Sequence, residues 1–219
     1  MNNCVILFGG GTGSRFKSNI PKQFAKIDGK SIFYHTFLKF KKSNRVDKIL
    51  CVCIESYIGD LRDEIENEDK LLDIIPGSTD AMSSILNGID YLNNIKFSGN
   101  VIIHDAIRPI ISYDDIESNI DIAEKYGNCI EYIDFYETIM FKETILRRED
   151  CKILRAPQTF KLEEITRCFE LMKNQYKSCR DCAELAIKCG VSLHYHRCDT
   201  KNIKVTYPED FNIATEYLK

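Results

Sequence analysis

A chain of 219 residues, 44% hydrophobic, 29% charged and carrying a net charge of −3, suits one sizeable soluble domain rather than two large ones. That balance excludes a general nucleic-acid or membrane-surface binder, and no apolar run approaches the roughly 18 residues a membrane span needs. Met1-Asn2-Asn3 lack the basic and apolar regions of a secretion signal, so the ten cysteines read as reduced thiols of a cytoplasmic protein.

Cys4 to Phe8 is a short unbroken apolar run, the pattern of a strand buried on both faces. It runs straight into Gly9-Gly10-Gly11-Thr12-Gly13-Ser14-Arg15. Glycines there let backbone N–H groups approach an anion that side chains would hold off. Arg15 and Lys22, the latter in Pro21-Lys22-Gln23-Phe24, flank the turn and can hold a polyphosphate between them. Two other glycine motifs fail: the P-loop wants Lys-Ser/Thr after Gly13 and finds Ser14-Arg15, and the dinucleotide fingerprint wants glycine where Ser14 or Phe16 stands. The stretch therefore reads as a nucleoside-triphosphate loop.

Ser31 is placed to cap a helix whose Phe33, Phe37 and Phe40 recur on one face. Ile49–Ile54 and Leu71–Ile75 read as buried strands with an amphipathic helix, Tyr57–Glu66, between them. This alternation predicts a Rossmann-like α/β fold, a mainly parallel twisted sheet with helices on both faces. After Gly77 a helix carries Ser83 and Ser84, with Ser84 on the side of the sheet's carboxyl edge, where open α/β folds bind ligands. A fourth strand, Val101–Ile103, leads into His104-Asp105-Ala106-Ile107-Arg108-Pro109. Asp105 there is a hard oxygen donor suited to Mg²⁺ and Arg108 a phosphate donor. His104 and His35 have no nucleophile at a matching spacing to activate and read as packed residues.

Asp114–Lys125 reads as a helix and Cys129–Ile133 as a strand. Residues 135–155 read as a protruding hairpin arm turning at Arg147-Arg148-Glu149-Asp150, whose apolar residues a second subunit would cover. Arg155 to Phe160 reads as a turn before a helix over Leu162–Met172. Cys179-x-x-Cys182 lacks the second close pair that a structural zinc site wants. A helix over Asp181–Cys189 and extended segments at 191–195 and 202–205 follow. Thr206-x-x-Glu209 then opens a last helix as a capping box, which leaves Lys204 on the same edge as the glycine loop. Nothing marks a second domain, so residues 1–219 read as one.

Seven segments in order are similar to the cytidylyltransferases that make 4-diphosphocytidyl-2-C-methyl-D-erythritol and CDP-ribitol. They are Gly9 to Arg15, Pro21 to Phe24, Gly77 with Ser84, His104 to Pro109, Thr138-Ile139, Pro157 to Phe160 and Asn202 to Thr206. The resemblance implies a single nucleotidyltransferase domain that moves CMP from CTP to a polyol phosphate, with Mg²⁺ as cofactor. By the same resemblance Arg15, Lys22 and Lys204 are catalytic, gripping the triphosphate and the transition state. Phe8, Gly9, Gly10, Gly11, Gly13, Gly77, Ser84 and Ala106 bind the nucleotide, and Asp105, Arg108, Thr138 and Arg148 hold the acceptor, Asp105 also serving the metal. It further implies a homodimer in which each arm reaches the partner's site. The chain departs from the family at Ala81, Ala156 and Arg180, all in the acceptor region. The loop and His35 to Phe40 lie closer to the ribitol branch, which makes ribitol 5-phosphate the expected acceptor and 2-C-methyl-D-erythritol 4-phosphate the alternative.

Overall fold

A computed structural model describes residues 2–10, 16 and 20–219. Asn3–Gly9 (β1) is fully buried as far as Leu7. Because side chains alternate across a strand, Cys4 and Ile6 enter one core while Val5 and Leu7 enter the other. Lys48–Cys53 (β4) follows the short strands Lys26–Ile27 (β2) and Lys30–Ser31 (β3) and the helix Ile32–Lys42 (α1). Ser31 caps α1 as expected, its hydroxyl accepting from Tyr34 N at 3.0 Å. Phe33, Phe37 and Phe40 are wholly buried, each worth roughly 1.5–3 kcal/mol in transfer from water.

The chain continues through Ile58–Ile65 (α2), Leu71–Pro76 (β5), Ala81–Asn94 (α3), Asn100–Asp105 (β6), Tyr113–Tyr126 (α4) and Asn128–Ile133 (β7). Ile139–Phe141 (β8) pairs with Thr144–Leu146 (β9); then come Ile153–Lys161 (β10), Leu162–Leu171 (α5), Cys182–Lys188 (α6), Tyr195–Arg197 (β11) and Pro208–Leu218 (α7). Seven strands form one sheet in the order β11-β7-β10-β6-β1-β4-β5. The pairs β1/β4, β1/β6, β4/β5 and β7/β11 are parallel; β10 runs antiparallel to both β6 and β7. Helices α3, α5 and α6 cover one face, and α1, α2 and α4 the other. The mainly parallel, doubly covered sheet agrees with the sequence reading.

Three local expectations are corrected. Residues 155–160 are not a turn but most of β10, with a bulge between Arg155 and Gln158. Pro157 has no N–H to offer a ladder, and a bulge is where a strand accommodates that. The arm turns at Lys142-Glu143 between β8 and β9, with Lys142 at φ +54; Arg148–Asp150 forms a short 3-10 turn beyond it. The last helix is capped by Asp210 rather than Glu209, the Asp210 carboxylate accepting from Thr206 N and Tyr207 N, both at 2.8 Å. Among the described residues no helix is long and apolar enough to cross a membrane. All ten cysteines are free thiols.

Candidate active site

Parallel strands deliver their carboxyl ends to one edge of the sheet, and there several of the predicted residues meet. A Cβ on Gly10 would stand 2.6 Å from Ser84 Oγ, and one on Gly77 3.3 Å from Gly10 Cα. A Cβ on Gly9 would lie 3.1 Å from that of Ala106. Gly9, Gly10, Gly77, Ser84 and Ala106 thus form one close-packed floor, tightest at Gly10. Ser84 is more than a lining residue: its hydroxyl accepts from Ser78 N and donates to Asp80 O, each at 2.9 Å. It fixes the 77–80 turn, while Asp80 caps α3 through Ser83 N. Gln23, which sequence reasoning passed over, clasps the loop from its other end, its amide donating to Gly9 O at 2.6 Å. Lys22 in the same 3-10 turn is 8% exposed. Gly11, Gly13 and Arg15 lie outside the described residues.

Asp105 ends β6 and is nearly enclosed. Its Oδ2 accepts from Arg108 Nε at 2.9 Å and its Oδ1 from Lys204 Nζ at 2.5 Å. Burial alone would raise this carboxyl; Lys204 and Arg108 outweigh it and hold it well below the usual carboxylate range. Asp105, Arg108 and Lys204, far apart in sequence, are therefore one ionised cluster. Lys204 is the most open of the three side chains, at 41% exposure, and lines the cleft. His104 is buried edge-on to Phe40, with Nε2 3.3 Å from Arg108 O. Desolvation lowers its pKa to about 3. A neutral packed imidazole is what its sequence context implied.

Arg155, the second residue the sequence did not offer, completes the cationic wall. Its Nη1 donates to Asn202 O at 2.7 Å and to Thr200 O at 2.9 Å. Arg108 donates to the same Asn202 carbonyl at 3.1 Å, so one backbone oxygen holds two guanidiniums side by side. Both arginines, Asp105, Lys204, Phe8 and Arg180 line a cavity of about 150 Å³. A larger groove, about 560 Å³, lies over Asn2, Phe97 and Lys161 at the opposite edge, without this convergence of charge. Gln158 bridges the floor to α6, donating to Asp181 and accepting from Ala183 N. The structure does not bring Thr138 or Arg148 to this cluster: both are exposed on the arm, and Arg148 contacts Glu149 and Tyr136 O.

Asp105 belongs to no group of three or more potential metal-ligating side chains among the described residues. Mg²⁺ commonly uses one or two carboxylates and completes its shell with phosphate oxygens and water. Both Asp105 oxygens already accept from cations, Arg108 Nε and Lys204 Nζ, so an ion would meet only a remaining lone pair of that carboxylate, and its surroundings make no dedicated cage.

The profile of the family described as "IspD: 2-C-methyl-D-erythritol 4-phosphate cytidylyltransferase" matches residues 3–219. A protein of that name from Clostridium botulinum (strain Langeland) is 33% identical over 225 residues, covering 99% of this chain and 97% of its own. Its namesake from Thermosipho melanesiensis is 35% identical over 217 residues, covering 96% and 94%. The crystal structure of the Francisella tularensis enzyme of the same name superposes with a TM-score of 0.80 at 26% identity, covering 99% and 100%. The 4-diphosphocytidyl-2C-methyl-D-erythritol synthase from Anaerococcus prevotii shares the fold, with a TM-score of 0.86 at 20% identity over 99% and 96%. With a cationic cleft beside a glycine floor and a family match spanning both, this chain belongs to the IspD family and is a cytidylyltransferase.

Proposed function

We propose that the chain transfers CMP from CTP to 2-C-methyl-D-erythritol 4-phosphate, releasing pyrophosphate. The observation that carries this is the Asp105–Arg108–Lys204 cluster, widened by Arg155, beside the Gly9–Gly10–Gly77 floor. The names of the relatives favour this acceptor over the ribitol 5-phosphate expected from the loop and first helix.

A phosphate monoester is already a competent nucleophile at neutral pH, so the site needs no base to activate it. Its task is to bring two anions together in line and to neutralise the charge that accumulates. The acceptor's phosphate oxygen attacks the α-phosphorus of CTP, the bond to the bridging oxygen breaks, and pyrophosphate leaves with that electron pair. Arg108 and Arg155 grip the acceptor phosphate, and Lys204 stands over the reacting phosphoryl group. Lys22 and Arg15 hold the triphosphate tail. Asp105 is a positioning residue for Arg108 and Lys204. Mg²⁺, when bound, supplies further charge neutralisation on the triphosphate, with Asp105 as its protein donor.

The arm supports a homodimer. Met140, Phe141 and Ile145 are 68%, 61% and 61% exposed, an apolar surface that pairing with a second copy would cover. Arg148 and Thr138 would then serve the partner's acceptor site.

Pyrophosphate release from CTP and Mg²⁺, measured with 2-C-methyl-D-erythritol 4-phosphate and in parallel with ribitol 5-phosphate, tests the acceptor. Turnover with the first is expected. A folded enzyme that uses only the second, or neither, overturns this acceptor.

A further inference from the structure

Behind the cleft, three elements place a second set of chemically active side chains together. Glu131 on β7 and His196 on β11 are register partners, so their side chains share one face of the sheet. Asp115, in the first turn of α4, packs over that face, and His196 Nε2 lies 3.2 Å from Asp115 Oδ1. One potential ligand atom from each of the three falls within 4.8 Å of the others. Donors bonded to a single ion at about 2.0–2.2 Å sit roughly 3–3.5 Å apart, so little movement would close them on one.

A second observation is independent of that spacing. Glu131 is wholly buried and its Oε2 has no hydrogen-bond partner by geometry, although the Cys198 thiol, a weak donor, neighbours the carboxyl. Oε1 has only a long 3.5 Å contact from Asn119 Nδ2. A buried carboxylate left so poorly satisfied is costly. The nearby cations are committed elsewhere: Arg108 to Asp105 and Asn202, Arg155 to Thr200 and Asn202. Desolvation and the Asp115 charge push the Glu131 carboxyl well up.

We propose that Asp115, Glu131 and His196 form a binding site for one divalent transition-metal ion of the zinc class. An imidazole with two carboxylates suits Zn²⁺ or Co²⁺ better than Mg²⁺ or Ca²⁺, which prefer oxygen alone. Capture requires the neutral tautomer of His196 whose Nε2 lone pair meets the ion. Asp115 already accepts from Asp199 N, so an ion here would tie α4, β7 and β11 to the segment that leads to Asn202. That segment carries the carbonyl shared by Arg108 and Arg155. The Cys179/Cys182 pair is not part of the site; both residues lie in the apolar core with α3 and α5.

The test uses the full chain, stripped with chelator and free of nucleotide. It is titrated with Co²⁺ by visible absorption, then with Zn²⁺ in competition. One saturable equivalent is expected. Losing a residue that merely orients a ligand costs about 10–100-fold in affinity, so His196→Gln and Glu131→Gln should each weaken binding by at least about 100-fold. Asp105→Asn and Cys151→Ser should leave it within about threefold, which separates this site from a cation held at the nucleotide cleft or by a more accessible thiol. No saturable equivalent, binding that survives both ligand variants, or binding that disappears with Asp105→Asn would overturn the proposal. Should a variant fail to fold, anomalous scattering from a zinc-soaked crystal of the unaltered chain decides instead: density between Asp115, Glu131 and His196 supports the site, and its absence there defeats it.

Discussion

Lys204 is held by one strong contact and otherwise open to the cleft. Truncating it removes a positive charge from the cleft while leaving the fold's cores untouched. Loss of a single electrostatic donor of this kind costs about 10²–10³ in turnover. Lys204→Ala should therefore lower kcat by that factor in a pyrophosphate-release assay, and a change below threefold would remove Lys204 from the chemistry. Arg155 is expected to act differently: Arg155→Leu should raise KM for the acceptor and leave KM for CTP unchanged. His104 gives a stability prediction. An unfolded imidazole titrates near 6.5, whereas burial lowers His104 to about 3. The unfolded chain binds more protons across that window, so the stability this residue contributes is complete above about pH 6.5 and is lost as the pH falls toward 3. Urea unfolding at pH 7.5 and 4.5 should show the chain weaker in acid, with a smaller difference in His104→Gln. Equal acid sensitivity in both would assign the effect to other groups.

At the scale of elements, α1 shows how local signals and tertiary packing reinforce one another. Ser31 caps it and donates to Glu64 of α2, and its phenylalanines fill the core beneath. Ser31→Ala should cost about 1 kcal/mol and Phe37→Ala about 3–5 kcal/mol, measured by denaturant unfolding. A Phe37 cost below 1 kcal/mol would mean the helix does not seal that core. Elements like α1, β1, β4 and β6 were legible because burial on one or both faces leaves an apolar pattern in the sequence itself. β10 was not, since Arg155-Ala156-Pro157 carries a turn's signature and the strand exists only through its pairing with β6 and β7. The missed strand concealed Arg155 as a site residue. The arm's true turn was hidden for the opposite reason: Lys142-Glu143 has no glycine or asparagine to announce a positive φ, while the polar run at 147–150 looked like one. The Asp105–Arg108–Lys204 cluster was readable because each member lies at or just past the end of a strand or shortly before a helix. Gln23 left no such mark, for its part is set by a carbonyl 14 residues away.

The whole molecule is a doubly covered sheet with one apolar appendage. If the arm docks on a second copy, Phe141→Asp should convert a dimer to a monomer in sedimentation equilibrium and reduce turnover together with it. Dimers that survive the substitution would place the interface elsewhere. Because β7 runs parallel to β6, its exit lies at the cleft; because β10 runs the other way, its entrance lies there too. Ile133 and Ile153 face each other across that pair, so the appendage has both roots on the lip of the active site, two residues from Arg155. A second copy gripping the far end would therefore hold a segment whose base is the same strand that carries Arg155.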